Sequence, residues 1–99
     1  MASLYLTEFQ ASGNAESGAQ LQVGVQPAVA MQKITFTTST QSAVFDERTR
    51  FVRLHCDADC HIVFGLDPTA TTNHMPMLAD STEYFGVVQS GLKLAVIAA

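Results

Sequence analysis

The chain has 99 residues, 47% apolar and 14% charged, with six Gly and three Pro. This excludes an intrinsically disordered tail and predicts a single domain, 1–99, around one thin core. Five Lys+Arg against nine Asp+Glu give a formal charge of −4, and with no basic cluster a nucleic-acid partner is not expected.

Met1 to Glu8 has neither a basic start nor an apolar run of signal-peptide length, which predicts synthesis in a cytoplasm. The longest apolar stretch, Leu94 to Ala99, is six residues, far short of the ~20 of a membrane helix, so no membrane partner is expected.

Along the chain the apolar period is two. Leu4 and Leu6 alternate with Ser3, Tyr5 and Thr7, predicting a strand near 3–9. Ala11 to Ala19, rich in Ser, Gly, Ala and Asn, predicts a flexible surface loop. Gln20 to Gln26 alternates without a break, placing Leu21, Val23 and Val25 on one face of a strand. Ile34 and Phe36 predict a strand near 31–37, and Ala43 and Phe45 predict another near 41–46. The segment Phe51 to Gly65 predicts a hairpin turning at Asp57-Ala58-Asp59. Its register sets Cys56 opposite Cys60, Leu54 opposite Ile62 and Val52 opposite Phe64 on one face. His55, His61, Arg53, Val63 and Phe51 take the other.

Leu66 to Ser81 predicts a long connection. It either wraps the sandwich edge with Leu78 plugged into the core or grips a partner. A second hairpin is predicted through Glu83–Val88, a Gln89-Ser90-Gly91 turn and Leu92–Ile97, with Gly91 supplying positive φ. About eight short strands with turn signals and no helical block predict an all-β fold. The expected architecture is a small antiparallel, jelly-roll-like β-sandwich whose strand order the pattern leaves open.

The chemistry-bearing residues are few. His55-Cys56-Asp57-Ala58-Asp59-Cys60-His61 offers two Cys and two His, but the alternation puts the thiols and imidazoles on opposite faces, where four ligands cannot close a zinc tetrahedron. A disulfide between Cys56 and Cys60 is geometrically allowed. Cytoplasmic assembly predicts reduced thiols acting as small core hydrophobes. Asp57 and Asp59 lack the further acids and the Gly of a calcium loop. No nucleophile elbow, phosphate loop or His-Glu-x-x-His occurs. The expectation is a non-enzyme with no catalytic residue, metal or cofactor.

Apolar residues do fall on faces that alternation should leave wet. Phe51 and Val63 oppose the core face, Ile97 opposes Leu94 and Val96, and either Tyr84 and Val88 or Phe85 and Val87 must point outward. With Pro68, Thr69, Thr71, Met75 and Met77 of the long connection, Phe51, Val63, Tyr84 and Ile97 are the candidate partner-interface residues.

The second half also carries a recurring rhythm: Thr49, Val52-Arg53, Asp57, Cys60, Phe64-Gly65, Asp67-Pro68-Thr69-Ala70-Thr71, then Leu78-Ala79, Glu83, Gly91 and Ala95-Val96-Ile97. Over roughly residues 40–99 it resembles small virion proteins of tailed bacteriophages encoded near the capsid genes. The resemblance implies a capsid decoration or cement protein on the outside of the virion, made in the host bacterial cytoplasm. Its implied partners are the major capsid protein and further copies of itself, as dimer or trimer. The competing readings are a tail, neck or fibre-tip component and a non-viral β-sandwich binding module.

Overall fold

A computed structural model describes residues 2–10, 12–14, 20–24, 27–87 and 89–99. The described chain is all-β and contains no helix. Its strands are β1 (Ala2–Phe9), β2 (Ser12–Asn14), β3 (Gln20–Gly24), β4 (Ala30–Phe36), β5 (Thr40–Gln41), β6 (Phe51–Cys56), β7 (Cys60–Gly65), β8 (Met75–Met77), β9 (Thr82–Gly86) and β10 (Lys93–Ala98). Two four-stranded antiparallel sheets form, in the orders β4-β1-β6-β9 and β5-β10-β7-β8, and β2 pairs with β3 in a separate ribbon. The two sheets make the expected small β-sandwich.

Alternation dictates what lies between the sheets. From the first sheet come Leu4, Leu6, Ile34, Phe36, Val52, Leu54 and Cys56; from the second come Cys60, Ile62, Met77, Leu94 and Val96. Leu4, Val52, Leu54, Leu94 and Val96 are fully buried. Each such aliphatic side chain contributes about 1.5–3 kcal/mol relative to exposure.

The predicted hairpin Phe51–Gly65 is instead an arch between the sheets. β6 pairs with β1 and β9, and β7 pairs with β10 and β8. The inward positions are those expected, but Val52, Leu54 and Cys56 meet Cys60 and Ile62 across the core rather than side by side. Period two fixes which face is buried and not which strand lies alongside, so hairpin and arch share one pattern. The arch is held from strand β1 and from the loop that joins β8 to β9. The Ser3 N–H donates to Asp57 Oδ1 at 2.7 Å and the Ala79 N–H donates to Asp59 Oδ1 at 2.8 Å.

The second predicted hairpin is also a crossing. β9 lies in the first sheet and β10 in the second. Gly91 does take the positive φ expected of it, 83°. Phe85 and Val87 turn inward, Val87 joining the core, while Tyr84 faces out; Val88 lies outside the described residues.

The predicted strand 41–46 shrinks to β5. Beyond it the Ser42 N–H still donates to Leu94 O and the Phe45 N–H to Leu92 O. Phe45 is buried and Ala43 exposed, so the alternation expected of that pair breaks. Part of the predicted loop 11–19 is strand β2, and residues 11 and 15–19 lie outside the described residues. So do Val25 and Gln26 of the predicted strand 20–26, and with them the shared face of Leu21, Val23 and Val25. β8 arises inside the predicted long connection. Its Pro76 lacks an N–H, which an edge strand tolerates.

After β7 the chain forms a strap over the second sheet. Gln41 Nε2 donates to Asp67 Oδ1 and to Pro68 O, each at 2.8 Å, and the Ala70 N–H donates to Ser39 Oγ at 2.8 Å. Because β10 lies between β7 and β5, a segment leaving β7 and bonding to β5 must cross β10. It crosses the outer face, which Gln41 shares with its register partner Ala95. Pro68, Ala70 and Ala95 are buried there. Leu78, the residue expected to plug into the core, is 71% exposed; Met77 occupies that role instead.

Candidate functional site

The nine candidate interface residues do not form one patch. Phe51 and Tyr84 stand on the outer face of the first sheet. Val63 and Ile97 stand on the outer face of the second, half-buried on the side the strap crosses. Thr69 and Thr71 are exposed on the strap and Met75 on edge strand β8. Pro68 and Met77 are buried, Met77 at 4% exposure within the core, so neither offers a side chain to a partner. Strap packing and core filling are the physical reasons for those two.

The outer face of the first sheet is the more open surface. Register places Tyr5 between Lys33 of β4 and His55 of β6, Thr7 between Met31 and Arg53, and Phe9 beside Phe51. Tyr84 of β9 pairs with Arg53. Phe9 and Phe51 stack at 5.2 Å between centroids, and Phe51 reaches Tyr84 at 6.3 Å. Lys33 Nζ lies 5.6 Å from the centroid of the Tyr5 ring, a cation–π distance. His55 Nδ1 meets Thr82 Oγ1 at 2.9 Å, and its ring lies 6.5 Å from that of Tyr5. Tyr5, Tyr84 and Met31 are exposed at 42%, 39% and 77%. Sequence reading noticed Phe51 and Tyr84 and missed Tyr5, Met31, Lys33 and Arg53 as their neighbours. The parity of each was legible; the strand order that joins them was not.

The groups able to do chemistry are dispersed. His55 faces outward from the first sheet and His61 from the second, with the core between them. His74 is tied into the strap, its Nδ1 2.9 Å from the Thr71 N–H that donates to it. Cys56 and Cys60 are free and buried. The Cys56 thiol donates to Leu78 O at 3.0 Å. Burial, then the neighbouring Cys56 and Asp59, push the Cys60 thiol up to about 12, which keeps it protonated and unreactive. Among the described residues, no three His, Cys, Asp or Glu stand where a metal ion could be held.

At the opposite end from the arch, Glu8 is buried on the inner face of β1. Its Oε1 accepts from Thr49 Oγ1 at 2.7 Å and from the Asp46 N–H at 2.8 Å. Nearby, Asp46 and Arg48 pair at 3.1 Å. The Arg48 hydrogen bonds hold the Asp46 carboxyl below its ordinary value. This Asp46–Arg50 run is a pinned surface turn. An open cleft beside it, lined by Glu47, Thr49, Arg50, Val87, Gln89 and Ser90, contains neither a His nor a Cys. Compared with protein-family models, curated proteins and solved structures, the chain matches none.

Proposed function

We propose that the chain is a non-catalytic structural binding protein: a decoration or cement protein that attaches to the outer surface of a tailed-phage capsid and stabilises it. The observation that carries the binding reading is the outer face of the first sheet, where the exposed Tyr5 and Tyr84 share one four-stranded surface with the exposed Lys33 and the half-buried Arg53. A face built on paired strands over a packed core has little conformational entropy to lose on docking. The dispersal of His and Cys over opposite faces and the core supports a role without catalysis. The capsid as partner rests on the resemblance of residues 40–99, and self-association as dimer or trimer fits the two-fold and three-fold positions of a shell.

The test is copy number per particle, by quantitative mass spectrometry on purified virions scaled to the major shell protein. A simple ratio to the shell subunit is the expected result. A handful of copies moves the protein to the tail, neck or fibre tip, and absence leaves a non-viral binding module.

A further inference from the structure

The chain has nine Asp+Glu against five Lys+Arg, yet the outer face of the first sheet carries cations and no acid at its register positions. Those positions are Met31, Lys33 and Thr35 on β4, Ser3, Tyr5, Thr7 and Phe9 on β1, Phe51, Arg53 and His55 on β6, and Thr82, Tyr84 and Gly86 on β9. Glu8 points to the core side of β1. Among the described residues Arg48 with Asp46 is the one salt bridge, so Lys33 and Arg53 have no carboxylate partner. Among the described residues, Lys33 and Arg53 thus stand without a carboxylate, beside the exposed rings of Tyr5 and Tyr84.

We propose that this face docks an acidic polypeptide surface, with Arg53 and Lys33 as the charge contacts and Tyr5, Tyr84 and Met31 as the apolar ones. The proposal rests on the capsid reading only for which protein supplies the carboxylates. Charge complementarity selects the occupant. A purely apolar partner would bury the half-buried Arg53 guanidinium unpaired, which is costly, whereas a carboxylate pairs with it through two parallel hydrogen bonds. Nucleic acid fits less well, because two cations neutralise few phosphates and the chain as a whole repels them.

The two lysines make the face testable, since Lys33 lies on the first sheet and Lys93 on the second, where its Nζ donates to Gln41 Oε1 at 3.4 Å. A water-soluble carbodiimide joins a lysine amine to a carboxylate in contact with it. An amide bond forms, and the water removed converts the carbodiimide to its urea. On purified particles, cross-links from Lys33 to Asp or Glu of the shell protein are expected. Cross-links through Lys93 alone, or none with the chain present, overturn the proposal. If particles lack the chain, the capsid reading fails separately, and the face is tested on the purified protein. A fluorescein-labelled Glu/Tyr peptide should then bind at low salt by anisotropy. K33E combined with R53Q should weaken binding by about tenfold or more, while K93E leaves it unchanged. Absence of binding, indifference to the charge changes, or preference for an oligothymidylate of equal charge each refutes an acidic-polypeptide site. Both variants should melt with the wild type, which excludes misfolding as the cause.

Discussion

Glu8 offers a sharp test of how the sandwich is closed. It is 1% exposed, and among the described residues it has no ion-pair partner, so hydrogen bonds alone compensate its burial. Both short bonds go to one oxygen, Oε1, from Thr49 Oγ1 at 2.7 Å and the Asp46 N–H at 2.8 Å; among the described residues Oε2 has Gln32 Nε2 alone, at 3.5 Å. Hydrogen bonds to a charged group contribute about 1.5–3 kcal/mol each. Glu8→Ala removes both, orphans the buried Thr49 hydroxyl and the half-buried Asp46 N–H, and leaves a void, for an expected loss of about 3–5 kcal/mol. In a domain with about 5–15 kcal/mol in total, that lowers Tm by roughly 15–30 °C. Glu8→Gln can place its amide oxygen at the Oε1 position, keep both bonds in neutral form, and cost about 1 kcal/mol. Urea denaturation followed by circular dichroism measures both variants. Thr49→Val completes a double-mutant cycle in which coupling with Glu8 should be about 1–3 kcal/mol. If Glu8→Ala costs no more than Glu8→Gln, or if the cycle is additive, this carboxylate does not pin the 46–49 turn.

Three further outcomes are expected. Leu54→Ala, at a fully buried position, should cost about 2–5 kcal/mol, whereas Leu78→Ala, at 71% exposure, should stay within about 0.5 kcal/mol in the same denaturation assay; the reverse order would restore the plugged-loop arrangement. Gly91→Ala should cost about 1–2 kcal/mol in the same assay because of its φ of 83° and not because of crowding, since an added Cβ meets Leu66 Cδ2 at an ordinary 3.6 Å; a stabilised variant would refute that strain. The Cys60 thiol, raised to about 12 from an ordinary 9.0, favours the protonated folded form, so its contribution is complete below pH 9 and declines as pH rises toward 12. Stability measured across that window should fall, and Cys60→Val should flatten the slope; an unchanged slope would place the alkaline sensitivity elsewhere.

The face proposed for docking was half legible. Tyr5 follows Leu4 and precedes Leu6, so its outward direction follows from parity, as does that of Arg53 between Val52 and Leu54. What the pattern could not supply was adjacency. Tyr84, Arg53 and Tyr5 share a face because β9, β6 and β1 lie side by side, and residues 5, 53 and 84 are far apart in the chain. Met75, Thr69 and Thr71 looked equivalent to Phe51 as candidates but belong to the other side of the sandwich. The burial of Pro68 and Ala70 depends on hydrogen bonds to Gln41 and Ser39, partners about thirty residues away.

Sequence alone determined the all-β class, the positions of most long strands, the inward set Leu4, Leu6, Ile34, Phe36, Val52, Leu54, Cys56, Cys60, Ile62, Leu94 and Val96, and the positive φ of Gly91. These are local consequences of period two and of a residue without Cβ. Tertiary structure alone decided that Asp57–Asp59 and Gln89–Gly91 carry the chain between sheets rather than back along one. A strand presents the same two faces whether its neighbour lies beside it or across the core. The choice is made where distant backbone groups, such as the Ser3 and Ala79 N–H groups on the two arch aspartates, find their partners.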